Sequence, residues 1–477
     1  MGIKKNIFYS SFLTCSNYIF PLITYPYICR VLGVENIGKC NYIFGIVTYF
    51  LLFATMGTSV VGIREIAKNR DNQESLNKSF SSILLLNITC TIVTSIIYIL
   101  FVLLVPSLIE YRVLLIFGSM QLILTSFQIE WFYKGMENFK YITIRSLIIK
   151  IIYIAGLFIF CRRPDDYIIY FLLTIISFIG NAVFNWFYKG HFVHFTWHCF
   201  SLKKFSGSFF MIGIYTILAA MYTSFNVVYL GWVSSDVEVG YYTTAIKLFA
   251  IILSFYTAIT GVLMPRISKL NKDGEINAIK RLNTATLDML IPTVLCIIIY
   301  SEIYANEIVY IIAGKGYENA VLSFRILLPI LLFAGIEQIF NNQVLMPLGK
   351  DKLLFVCSLL GACVGITLNV LLVDEWHSVG SSLVWVLSVL STTVLSYIFV
   401  NKTIGNILSF RLLFKNLVGY TPLLLLLLCM HSLIPMFILN ITISVIITFA
   451  YFIALQILLK NEAILPVINK LKPKWKK

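Results

Sequence analysis

The chain has 477 residues, of which 59% are hydrophobic and only 12% charged, with a mean hydropathy of +0.88 and a formal net charge of +15. A soluble domain carries about 25% charged residues, so the composition excludes an ordinary soluble enzyme or binding module. The apolar residues come in blocks of about 20, enough to cross a hydrocarbon core of roughly 30 Å, and lack the short alternation of a membrane β-barrel.

The expected fold class is therefore all-α and polytopic. Fourteen spans are predicted, near 7–29, 40–63, 80–105, 113–133, 141–161, 168–188, 206–230, 241–264, 284–304, 320–346, 353–373, 379–400, 416–434 and 437–459. The first follows Lys4 and Lys5 and resembles a signal peptide, but it lacks a small-residue cleavage site and is read as retained. Its Pro21 and Pro26 suggest a helix that bends. With the N-terminus in the cytoplasm, inside segments hold 27 of the 37 Lys and Arg, outside loops hold six and spans hold four. That asymmetry places both termini in the cytoplasm and attributes most of the positive charge to topology and to anionic lipid rather than to nucleic acid.

The loop after the sixth span contains HFVHFTWHC, with His191, His194, His198 and Cys199 at a ligand-like spacing. So many aromatics favour an interfacial amphipathic segment, and no metal site is assigned. The ten cysteines are scattered without a CxxC pair and read as small packing residues. GKG at 314–316 and GKDK at 349–352 lack the spacing of a phosphate-binding loop, so no built-in ATPase is expected.

Gly38, Arg64 and Lys78 recur as Gly240, Arg266 and Lys280, each displaced by 202 residues. LGVENIG before the second span likewise rhymes with SSDVEVG before the eighth. Six spans return the chain to its starting side, so two such repeats run parallel, related by a pseudo-two-fold axis along the membrane normal. The expected domains are residues 1–200 and 201–402, two six-helix bundles, and 403–477, two further helices with a basic tail.

Seven ionisable residues fall within spans: Glu130, Arg145, Lys150, Lys247, Asp288, Arg325 and Glu337. A central Lys or Arg costs roughly 2.5–3.5 kcal/mol to insert. Glu130 and Arg145 lie at similar depth on neighbouring spans and are expected to form a structural ion pair. Lys150 is deep, and Glu337 sits at comparable depth in the other half. Two readings stay open for them: an internal Lys150–Glu337 pair, or a water-filled cationic cavity that also uses Lys247 and Arg325. In the second, Glu337 competes with substrate for Lys150 and takes up a proton. Hydroxyl- and amide-rich first and seventh spans would suit a wet lining.

Several stretches carry a resemblance: PYICRVLGVENIGKCNYIFGIVTYF at 26–50, GIREIAKNRD at 62–71, IEWFYKGMENFKYITIRSLIIKI at 129–151, VGYYTTAIKLF at 239–249, LMPRISKLNKDGE at 263–275 and VLMPLGKDKLLF at 344–355. The chain resembles Wzx-type lipid-linked oligosaccharide flippases of the multidrug/oligosaccharidyl-lipid/polysaccharide superfamily. Glu130 stands where that family commonly has an aspartate before WF. The resemblance implies a flippase that moves an undecaprenyl-pyrophosphate-linked oligosaccharide across the bacterial cytoplasmic membrane by alternating access, without a cofactor. The glycan would be an O-antigen or capsular repeat unit. It adds Arg30, Arg64, Arg145 and Lys150 as motif positions, alongside Lys247, Arg325 and Glu337 chosen by depth. Expected partners are the lipid-linked substrate, membrane lipids and polysaccharide polymerase or export machinery. A drug or cation exporter of the superfamily would favour acidic over cationic deep residues. A polysaccharide polymerase would need larger outside loops than these.

Overall fold

A computed structural model describes residues 3–196, 202–434 and 436–465. Every regular element among them is helical. In chain order they are α1 (Ile3–Thr55), α2 (Thr58–Asn69), α3 (Gln73–Leu104), α4 (Arg112–Leu124), α5 (Glu130–Gly135), α6 (Phe139–Phe160) and α7 (Tyr167–Tyr188). There follow α8 (Leu202–Met221), α9 (Phe225–Val233), α10 (Asp236–Lys272), α11 (Ile276–Ile303), α12 (Ala305–Ala313), α13 (Ala320–Leu327) and α14 (Ile330–Gln338), which runs into a π-helical turn at Ile339–Leu345. The chain closes with α15 (Asp351–Ile404), α16 (Phe410–Gly419), α17 (Thr421–Leu433) and α18 (Phe437–Leu458).

Among the described residues ten helices are long and apolar enough to cross a membrane, or eleven when the pair bent by 47° between α8 and α9 counts as one span. The expected count of fourteen spans is not confirmed by these helices alone. One reason is that α1 and α15, with 53 and 54 residues, each carry two expected spans. As straight helices they would be about 80 Å long, more than twice a hydrocarbon core of roughly 30 Å. Each also leaves helical geometry once, α1 at Gly33 (φ 75°, ψ 170°) and α15 at His377 (φ 47°, ψ −122°). Gly33 takes the positive φ at no steric cost, as a glycine can. Pro21 and Pro26 lie inside the helix, so the break in α1 falls at the glycine and not at the prolines. The expected eighth span, 241–264, falls on α10, where the side chains of 254–266 lie outside the description.

The chain packs as two compact units. The first comprises Met1–Thr243, Ile312–Gly316 and Ile366–Ser381, and the second Thr244–Ile311, Tyr317–Gly365 and Ser382–Lys477. Helices α8 and α9 group with the first unit because they seat on α1 and the turn after it. A Cβ on Gly57 would lie 2.3 Å from the Phe209 carbonyl oxygen, and one on Gly231 would lie 2.1 Å from the Tyr42 ring. In lipid, helices associate through such close approach of small residues rather than through hydrophobic burial.

The first unit has an aromatic core where α2, α3, α5, α6 and α8 converge, around Phe80, Trp131, Phe132, Tyr133 and Phe209. At its other end two positions 202 residues apart meet directly. A Cβ on Gly38 would lie 2.9 Å from the Gly240 nitrogen, and Asn41 donates to Thr243 Oγ1 at 3.0 Å, again across 202 residues. The positions that rhyme in sequence therefore supply the contact.

In the second unit α11 is central, and its Pro292 determines a neighbour. Proline has no N–H, so the carbonyl four residues back, at Asp288, loses its helical donor. Asn461 supplies one from its side chain at 2.9 Å. Tyr420 donates to the Pro292 carbonyl at 3.0 Å, and Tyr304 to Asn440 Oδ1 at 2.7 Å.

Candidate functional site

Helices α1 and α6 run side by side in one constant register. Thr143 donates to the Tyr9 carbonyl at 3.0 Å, Lys150 to Ser16 Oγ at 3.1 Å and Tyr27 to the Cys161 carbonyl at 2.7 Å, each pair 134 residues apart. An unchanging offset means parallel helices, as two odd-numbered spans must be.

Lys150 sits near the middle of α6, about 15–17 Å from either end. It is half-buried. Its ammonium donates to Ser16 Oγ and, at 2.5 Å, to Asn17 Oδ1, and it lies 5.2 Å from the Phe20 ring centre. All three partners come from α1 and all are neutral. Among the described residues no carboxylate oxygen lies within 4.0 Å of this cation. Hydroxyl and amide dipoles replace part of its hydration but leave the charge uncancelled, so the site attracts an anion.

Five residues earlier on α6, Arg145 is held differently. It is 5% exposed and donates to Glu130 Oε2 at 3.0 Å, to Ser146 Oγ at 3.1 Å and to Asn185 Oδ1. The other Glu130 oxygen takes the Lys134 ammonium at 2.9 Å. Asn185 on α7 is fully buried and ties the cluster together, donating to the Gln128 carbonyl while its own carbonyl accepts from Tyr133 at 2.5 Å. Arg145 is thus spent on joining α5, α6 and α7. The sequence reading overlooked Asn185. The available signal was an uncharged amide in the long apolar run of α7, polar enough to demand a partner in lipid.

The remaining candidates are dispersed. Arg30 donates to the Pro26 carbonyl at 2.7 Å and the Ile312 carbonyl at 3.1 Å, bracing the 312–316 segment against α1. Arg64 is 47% exposed and pairs with Glu65 at 3.2 Å, and Lys68 joins the same carboxylate at 3.1 Å. In the second unit, Lys247 is half-buried on α10, and Arg325 on α13 lies 3.8 Å from Glu302. Glu337 accepts from Asn341 at 3.2 Å, and Asn341 accepts in turn from Ser396 at 2.9 Å. Glu337 thus adjoins the π-helical turn, a geometry that recurs at functional sites. Asn226, expected on a wet lining, is fully buried and bonded to Asn369 at 2.8 Å and Tyr242 at 3.3 Å. His198, Cys199 and the lysines from 470 onward lie outside the described residues.

At the membrane surface Arg70 meets Glu137 at 2.7 Å, and the carboxylate raises the guanidinium above its usual range.

Comparison with known proteins places this geometry. A profile for "Polysaccharide biosynthesis protein" matches residues 3–271, more than half the chain. A protein of Escherichia coli (strain K12), named "Putative O-antigen transporter", is 25% identical over 358 residues, covering 72% of this chain and 84% of its own length. One of the same name from Shigella dysenteriae is 25% identical over 417 residues, covering 84% of this chain and all of its own. Among solved structures, the lipid II flippase MurJ in an inward closed conformation superposes with a TM-score of 0.77 at 14% identity, covering 96% of this chain and 100% of its own. An inward-facing multidrug resistance MATE family transporter of the MOP superfamily gives 0.61 at 12% identity, covering 85% and 96%. At such identities the structural likeness concerns the fold, which here is that of MOP superfamily transporters. The chain is accordingly a multi-pass membrane protein, and it belongs to the polysaccharide biosynthesis protein family.

Proposed function

We propose that the chain flips an undecaprenyl-pyrophosphate-linked oligosaccharide, an O-antigen or capsular repeat unit, across the bacterial cytoplasmic membrane by alternating access. Both termini lie in the cytoplasm in this reading. The observation that carries it is Lys150, a cation at mid-membrane whose hydrogen-bond partners are a hydroxyl and an amide. A phosphate 4 Å from one cation gains about 4 kcal/mol at an effective dielectric of 20, against roughly 2.5–3.5 kcal/mol to insert the cation. An anionic head group thus offsets the cost that Ser16 and Asn17 meet only in part. The resting site is ready for its ligand, with no salt bridge to break first.

Lys247 and Arg325 are the further cationic candidates in this scheme, with Arg30, Arg64 and Arg145 as supporting positions. Glu337, beside the π-helical turn, is the coupling group that takes up a proton as substrate leaves. A polymerase and export machinery would receive the product. The family and the curated relatives support a polysaccharide substrate, and the neutral shell of Lys150 supports an anionic one.

The test is complementation of a flippase-deficient strain, with protein level checked in the membrane fraction. Lys150→Ala abolishes surface polysaccharide at unchanged protein level, and Lys150→Arg keeps partial activity. Normal polysaccharide with Lys150→Ala removes that residue from the mechanism. Reconstitution with purified lipid-linked oligosaccharide, followed by leaflet accessibility, tests the substrate itself.

A further inference from the structure

A cleft of about 360 Å³ lies between α6 and α7, lined by Lys140, Ile144, Arg145, Ile148, Phe184 and Tyr188. Its polar end is built where α6 begins. Lys140 is exposed there, and Tyr188 stacks on Tyr141 with ring centres 3.9 Å apart. Arg145 also lines it, 5% exposed, with its Nε lacking a hydrogen-bond partner. The apolar end follows from helical spacing. Positions 140, 144, 148 and 152 fall on one face, reading Lys-Ile-Ile-Ile, and the three isoleucines are 44%, 50% and 64% exposed. Phe184 on α7 is 55% exposed. From Lys140 to Ile152 this stripe rises about 18 Å, close to the depth of one leaflet.

We propose that this cleft is a binding site for one anionic glycerophospholipid of the leaflet at the N-terminal end of α6, with its phosphodiester against Lys140 and Arg145 and an acyl chain along Ile144, Ile148 and Ile152. The charge of the lining selects an anion, since Lys140 and Arg145 line the cleft and no carboxylate does. The site is independent of Lys150, which hydrogen-bonds to α1 on another face of α6. A bound lipid would add the positive field of the buried Arg145 to the contact with Lys140 and link α6 to α7 in addition to the Asn185 contact.

The test uses the purified full-length chain in detergent, with thermal unfolding followed during titration of phosphatidylglycerol, phosphatidylcholine or sodium phosphate. Phosphatidylglycerol raises the unfolding temperature saturably, and phosphatidylcholine and phosphate do not. Lys140→Gln, at an exposed position, weakens the response about tenfold, as loss of one charge-assisted contact predicts. Ile148→Trp fills the apolar half and abolishes it. Native mass spectrometry counts the retained phosphatidylglycerol on the wild-type chain independently of either variant. Equal responses to both lipids overturn the proposal, as does a response reproduced by phosphate alone. So does an unchanged response in both variants, or no retained lipid.

Discussion

Gly38→Ala tests how tightly the repeat-related contact is built. A Cβ at position 38 would lie 1.7 Å from the Asp236 carbonyl oxygen and 2.9 Å from the Gly240 nitrogen. Real Cβ atoms essentially never approach within 3.0 Å, so α1 and the start of α10 must separate locally by about 1.3 Å, the difference between 3.0 and 1.7 Å. The obstacle is backbone, which cannot rotate away. A shift of that size stretches the 3.0 Å Asn41–Thr243 hydrogen bond beyond bonding range. Overpacking and one lost hydrogen bond together cost about 2–4 kcal/mol. The assay is thermal unfolding of the purified protein in detergent, with Gly207→Ala as control, since a Cβ there has nothing within 4 Å. Gly38→Ala and Gly240→Ala both lower the unfolding temperature by several degrees, and Gly207→Ala stays within about 1 kcal/mol of wild type. Should Gly38→Ala unfold like the control, the close approach of α1 and α10 is not a feature of the folded protein.

Three further outcomes are expected. Glu130→Ala deprives Arg145 of its carboxylate and costs about 2–4 kcal/mol, somewhat less than a fully buried pair because Glu130 is one-third exposed. It lowers protein abundance in membranes by quantitative immunoblot, whereas normal abundance with lost transport would assign Glu130 to turnover instead. Asn226→Leu removes the acceptor for the Asn369 amide and costs about 1–3 kcal/mol, and Asn226→Leu with Asn369→Leu recovers part of that in the same unfolding assay. An additive double variant would show that the two amides are not coupled. Glu337→Gln keeps a carbonyl acceptor for Asn341 but has no proton to exchange. In proteoliposomes its transport no longer responds to an imposed pH gradient, and a wild-type response would exclude it as the coupling group.

Much of this protein was legible along one dimension. Apolar block length, the bias of Lys and Arg between alternate loops, and the 202-residue rhyme of Gly38 with Gly240 are properties of the chain itself. They report transfer into lipid and the side on which a loop remains, and neither depends on which helices are neighbours. The deep position of Lys150 was legible for the same reason, since depth is a count of residues along a helix. Partners were not, because they depend on rotation about the helix axis and on register against another helix. The sequence reading paired Glu130 with Arg145 by depth alone, without Lys134 or Asn185, which complete that cluster. It left Lys150 open between a carboxylate and a ligand, and only the constant 134-residue register of α1 against α6 put Ser16 and Asn17 at its ammonium. The spans 7–29 and 40–63 were legible as separate apolar blocks, but the path of the backbone between them, helical except where it turns at Gly33, was not, because hydropathy averages over a window and carries no dihedral angle.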